Sequence, residues 1–234
     1  MATAPGRVKT ALCDALNMGK GLTAVIGAGG KTTLIDRLCG ELCARGSVIV
    51  TTTTHIWPPE LLVLRSATRA DIKAALGMHA AVCVAEDAEG GKLQSPVLAM
   101  EELRALADYV LVEADGAKGY PLKAHAINEP QIPACADAVI QLAGADGLYR
   151  PITDAAHRPE LYARALGVDA GHIITPEDAK ALLLPCDITV VNKAAGNMDA
   201  ASALARLLKR ALITELKAER PVLAVWEDGE CLYS

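Results

Sequence analysis

Short, almost wholly apolar runs recur along the 234-residue chain, at 22–26, 47–52, 80–85, 109–114, 137–142, 187–192 and 221–226. A strand has this composition when its sheet buries both of its faces. Stretches with helical periodicity separate the runs, at 32–45, 70–76, 100–107, 159–166, 176–184 and 198–212, several of them opened by Thr or Pro. Strand, helix, strand in sequence implies right-handed crossovers. The chain is therefore expected to be α/β, a three-layer α/β/α arrangement around a mostly parallel sheet. The length suits a single domain over 1–234. Ligands of such sheets bind beyond the carboxyl ends of the strands. Two segments rich in Gly, Pro and charge, 115–133 and 144–158, directly follow apolar runs and so belong on that side. Loops this long in a compact domain are usually functional.

The first crossover carries the most specific chemistry. Gly27-Ala28-Gly29-Gly30-Lys31-Thr32-Thr33 joins the run at 22–26 to a helical stretch. Glycines let the chain turn with its N–H groups inward, forming a nest for phosphate oxygens at the positive end of the helix. In such a loop the lysine, Lys31, reaches the β- and γ-phosphates, and the Thr32 hydroxyl binds Mg²⁺. These residues predict a P-loop NTPase-like fold that binds a nucleoside triphosphate, ATP or GTP, with Mg²⁺. Val25 stands where the GxxxxGK[ST] pattern has its first glycine. The shorter GxxGKT form resembles the loop of the Mur ligases and folylpolyglutamate synthases.

Other strand ends supply further candidates. The run at 109–114 leads into Glu113 and Asp115, two residues apart and so able to share a face. A buried strand ending in two carboxylates calls for a nearby cation, which makes both candidate Mg²⁺ ligands and catalytic acids. Four threonines and a histidine close the run at 47–52. Thr53 and Thr54 are candidate substrate contacts and His55 a candidate catalytic or switch residue, although Thr is also an ordinary strand residue. Lys118 and Lys123 either clamp an anionic substrate or face solvent. Asn192 and Lys193, in Val190-Val191-Asn192-Lys193, resemble the strand and NKxD loop with which GTPases hold guanine. Ala195 occupies the Asp position of that pattern. From that replacement alone, ATP is expected to bind at least as well as GTP, because the best discriminator against adenine is missing.

Composition argues against other classes. A net charge of -5 with 3% aromatic residues and no Phe supplies neither the basic surface nor the stacking platforms of a nucleic-acid binder. The apolar runs are too short to span a bilayer, so no membrane association is expected. The first twenty residues carry Arg7, Lys9, Asp14 and Lys20 and do not read as a secretory signal, so a cytoplasmic location is expected. The seven cysteines are scattered without a CxxC pair, which fits reduced, buried residues.

Taken together, GAGGKTT (27–33), VTTTTHIWPP (50–59), VEADGAKGYPLKA (112–124), HRPE (157–160) and VVNK (190–193) resemble the YqeC family, accessory proteins of selenium-dependent molybdenum hydroxylases. The resemblance runs from about residue 11 to residue 210. It implies a nucleotide-dependent role in maturing such a hydroxylase or its cofactor, either of which then becomes the expected partner. It also adds Arg158 as a source of transition-state positive charge. Three activities are compatible with these residues. They are a Mg²⁺-dependent NTPase or phosphotransferase, a nucleotide-switched chaperone-like module, and a Mur-like ligase that forms an acyl phosphate.

Overall fold

The computed structural model describes residues 11–233. Residues 1–10, half of the stretch read for a secretory signal, lie outside the described residues. In chain order the elements are α1 (Leu12–Ala15), β1 (Gly21–Gly27), α2 (Lys31–Leu42), β2 (Val48–Thr52), β3 (Val63–Leu64), α3 (Arg69–Leu76), β4 (Ala81–Val84), β5 (Glu86–Asp87), β6 (Leu93–Gln94), α4 (Met100–Arg104) and β7 (Tyr109–Glu113). There follow β8 (Leu122–Lys123), β9 (Ala138–Gly144), α5 (Ile152–Ala155), β10 (Ala156–His157), α6 (Pro159–Leu166), α7 (Pro176–Leu182), β11 (Ile188–Asn192), α8 (Met198–Ala205), β12 (Arg210–Thr214), β13 (Val222–Glu227) and β14 (Glu230–Tyr233).

One ten-stranded sheet organises them, in the order β14-β13-β12-β11-β9-β1-β7-β2-β4-β3. Pairing is parallel from β12 to β3, and the two last strands add on antiparallel. The expected α/β class with a mostly parallel sheet is therefore observed. Alternation along each strand feeds apolar side chains to both faces. Val25, Leu111 and Val190 join α1 and α2 in one core. Ala24, Ile26 and Val112 meet α3 and α4 on the other face, and Val191, Ala211 and Ile213 meet α6, α7 and α8. Among the described residues no helix is long and apolar enough to cross a membrane.

Several boundaries differ from the sequence expectation. The helix expected over 198–212 stops at Ala205, and Arg210–Thr214 form a buried parallel strand beside β11. Ala211-Leu212-Ile213-Thr214 is itself an apolar, partly β-branched run, and pairing with β11 decides in favour of a strand. The helix expected over 100–107 closes after Arg104, and the strand expected over 221–226 runs antiparallel to its neighbour. The segments 115–133 and 144–158 are not wholly irregular. Leu122 pairs with Ala156 and Lys123 with His157, so the two cross one another in a short parallel ribbon.

Candidate functional site

β1 lies between β7 and β9, so its glycine loop opens at the centre of the sheet, beside the strand ends of both neighbours. Gly27, Gly29 and Gly30 all take positive φ, at 89°, 91° and 131°. A side chain at Gly27 would strike the Leu142 carbonyl, and one at Gly30 the Asn192 amide. The turn therefore needs glycine for space as well as for conformation. α2 begins at Lys31 with no side-chain cap, which leaves the N–H groups of its first turn without intrahelical partners. Lys31 is buried at the base of this turn, and its ammonium donates to the Gly27 carbonyl at 2.7 Å. Burial lowers its pKa against the opposing pull of Glu113 and Asp115.

The two acids at the end of β7 separate in their contacts. Glu113 is half-buried, and its Oε2 accepts from the Thr32 hydroxyl at 3.2 Å. Burial raises its pKa, and Lys31 and Thr32 only partly offset this. Asp115 is fully buried. Its carboxylate accepts from the Gly27 N–H at 2.9 Å and from Lys123 at 2.5 Å, and His125 Nε2 lies 2.8 Å away. Lys31 Nζ lies 3.9 Å away. Burial alone would raise the pKa of Asp115, but His125, Lys31 and Lys123 outweigh it and hold the group below the usual range. The buried Lys123 also donates to the Gly116 carbonyl and to Glu129, at 2.7 and 2.9 Å. Glu129 in turn receives both terminal nitrogens of Arg158, at 2.5 and 2.8 Å. That fork, with Lys123, brings the Glu129 pKa down to about 2. A chain of alternating charge thus runs from the glycine loop through Asp115, Lys123 and Glu129 to Arg158, which holds a left-handed backbone at φ 61°.

The remaining predicted residues fall into four groups. Thr53 donates its N–H to the Glu113 carbonyl and its hydroxyl to the Gln131 carbonyl, and Thr54 is bonded through its N–H to Thr52. These threonines tie β2, β7 and the segment 115–133 together. His55 and Lys118 are both exposed. Asn192 is buried on the opposite flank of the loop. Its amide donates to the Gly29 carbonyl at 2.7 Å, and its oxygen accepts from the Leu216 N–H at 3.0 Å. Lys193 pairs with Asp146 at 2.9 Å. Ala28 and Thr33 complete the loop, Ala28 through an N–H bond to the Leu142 carbonyl.

The hydroxyl–carboxylate pair of Thr32 and Glu113 is a hard-oxygen donor set, which fits Mg²⁺ held mainly by phosphate and water. No group of three or more His, Cys, Asp or Glu suited to a metal occurs among the described residues. A magnesium ion here would therefore depend on a phosphate ligand. Sequence reading missed His125 and Glu129. Both lie inside the 115–133 segment beside Lys123, and a search for partners of a buried lysine would have reached Glu129.

The family model described as "YqeC protein" matches residues 23–160. "Uncharacterized protein YqeC" of Escherichia coli (strain K12) is 33% identical over 172 residues, 68% of this chain and 66% of that protein. The chain thus spans just under two thirds of that relative's length. No solved structure matches. The matched segment covers more than half of the chain and contains the glycine loop, both acids of the 113–115 segment and the ion pairs that join them to Arg158, and the chain belongs to the YqeC family.

Proposed function

We propose that the protein binds a Mg²⁺–nucleoside triphosphate in the loop 27–33 and hydrolyses it or transfers its terminal phosphoryl group, in support of selenium-dependent molybdenum hydroxylase maturation. The observation that carries the site is Lys31, buried under an uncapped glycine-rich helix start with Thr32 and Glu113 paired beside it. The first-turn N–H groups and Lys31 would take the phosphate oxygens, exchanging the Gly27 carbonyl for a stronger acceptor. Thr32 and Glu113 would hold Mg²⁺, which supplies charge neutralisation at the transferring group. Asp115, already shared among Gly27, Lys123 and His125, shapes the loop instead of meeting the metal. The hydroxylase pathway rests on the family resemblance alone.

A second reading, a nucleotide-switched docking module, is favoured by the charge chain that leads away from the loop to Arg158. Phosphate release by the protein alone separates the two. Sustained turnover supports the enzyme, and tight binding without turnover supports the switch. Under either reading, Glu113→Gln is expected to raise the Mg²⁺ concentration needed for triphosphate binding. An identical Mg²⁺ dependence in wild type and variant would remove Glu113 from the metal site.

A further inference from the structure

We infer that the nucleotide site reads guanine, and that Glu215 supplies the carboxylate that Ala195 lacks. The inference rests on the phosphate-loop reading above and goes on to name the base. With Thr32 and Glu113 on the β7 flank of the loop, the terminal phosphate faces that flank. The nucleoside end of a bound triphosphate then falls on the other, where β9, β11 and β12 end. There the Asn192 side chain locks three backbone segments together, bonding Gly29 of the loop and Leu216 after β12, while Thr214 donates to its oxygen at 3.3 Å. The Leu216 side chain lies against Gly30. Residues 214–216 therefore form a wall that abuts the loop directly.

Glu215 stands in that wall. Its Oε2 accepts from the Ala195 N–H at 3.1 Å, which places a carboxylate over the turn after β11, where the NKxD pattern would have carried its own acid. Among the described residues its Oε1 has no partner. The backbone holds the position from both sides, since the Glu215 N–H donates to the Pro221 carbonyl and the Glu215 carbonyl accepts from Ala218. Guanine presents N1–H and an exocyclic amine side by side, two donors that one carboxylate accepts together. Adenine presents a ring nitrogen acceptor and a C–H on the same edge, and would leave the carboxylate facing a lone pair. The sequence pattern points to ATP because it registers the missing acid at 195. The fold brings an acid to the Ala195 N–H from just past the end of β12, 20 residues further on.

Competition binding by calorimetry with GTP, ATP and XTP tests this on the full chain. Wild type is expected to bind GTP at least about tenfold more tightly than ATP. Glu215→Gln is expected to abolish that ratio and to raise affinity for XTP. The xanthine base offers one donor and one carbonyl, which an amide complements and a carboxylate does not. The XTP gain cannot come from a misfolded variant. ATP binding equal to or tighter than GTP in wild type overturns the base assignment while leaving the phosphate loop standing. Loss of GTP preference in Glu215→Gln without an XTP gain also overturns it, because Glu215 then only props the turn. Binding of none of the three nucleotides removes the phosphate-loop reading and this inference with it.

Discussion

Glu113 and Asp115 lie two residues apart, yet their surroundings give them different chemistry. Burial with few partners raises Glu113, whereas His125, Lys31 and Lys123 outweigh burial at Asp115 and hold it below the usual carboxylate range. The sequence shows two acids at a strand end. It cannot show which is consumed internally, because Lys123 and His125 return to Asp115 from 8 and 10 residues further along the loop. Glu129 gives this network a testable pH signature. Its pKa is lowered in the fold to about 2 by Arg158 and Lys123, so its stabilisation is complete above the unfolded value and disappears as pH falls through about 2. Glu129→Gln is expected to lower the melting temperature at neutral pH, with the gap to wild type narrowing as pH drops below about 4.5. Thermal denaturation across pH 2 to 7 measures it. A gap that stays constant over that range would show that the Arg158 fork does not stabilise the fold.

At the scale of elements, the strands at 22–26, 47–52, 109–114 and 187–192 were legible because a doubly buried strand is apolar at every position. Their ends, which carry the candidate site, were legible with them. β12 was not, since Ala211 and Leu212 also continue the helical pattern of α8, and only the neighbouring β11 makes a strand the better state. The wall beside the loop depends on that strand. Asn192 is the side chain that ties β11 and the segment after β12 to Gly29, and its removal leaves the Leu216 N–H and the Gly29 carbonyl without these bonds. Asn192→Ala is expected to cost about 1–3 kcal/mol of folding stability and to weaken nucleotide binding as well. Urea denaturation of wild type and variant decides the first part. Coincident unfolding curves would mean that the three segments are held without it.

For the whole molecule, the order of the strands does what the linear sequence does not display. β1 sits in the middle, with β7 on one side and β9 then β11 on the other, so residues from 27 to 216 converge on one loop. The crossing of 115–133 with 144–158 closes the same end of the sheet, and Arg158 enters the site's charge chain only through that crossing. Lys31 is the cation that the fold buries at the base of the glycine turn. The most direct measurement is the affinity of Mg²⁺–GTP and Mg²⁺–ATP for wild type and Lys31→Ala by titration calorimetry, with circular dichroism to establish that the variant is folded. Saturable binding to wild type, weakened at least tenfold or about 1.4 kcal/mol in the folded variant, is the predicted result. Equal affinity in the two proteins, or no binding of either nucleotide to wild type, would contradict it.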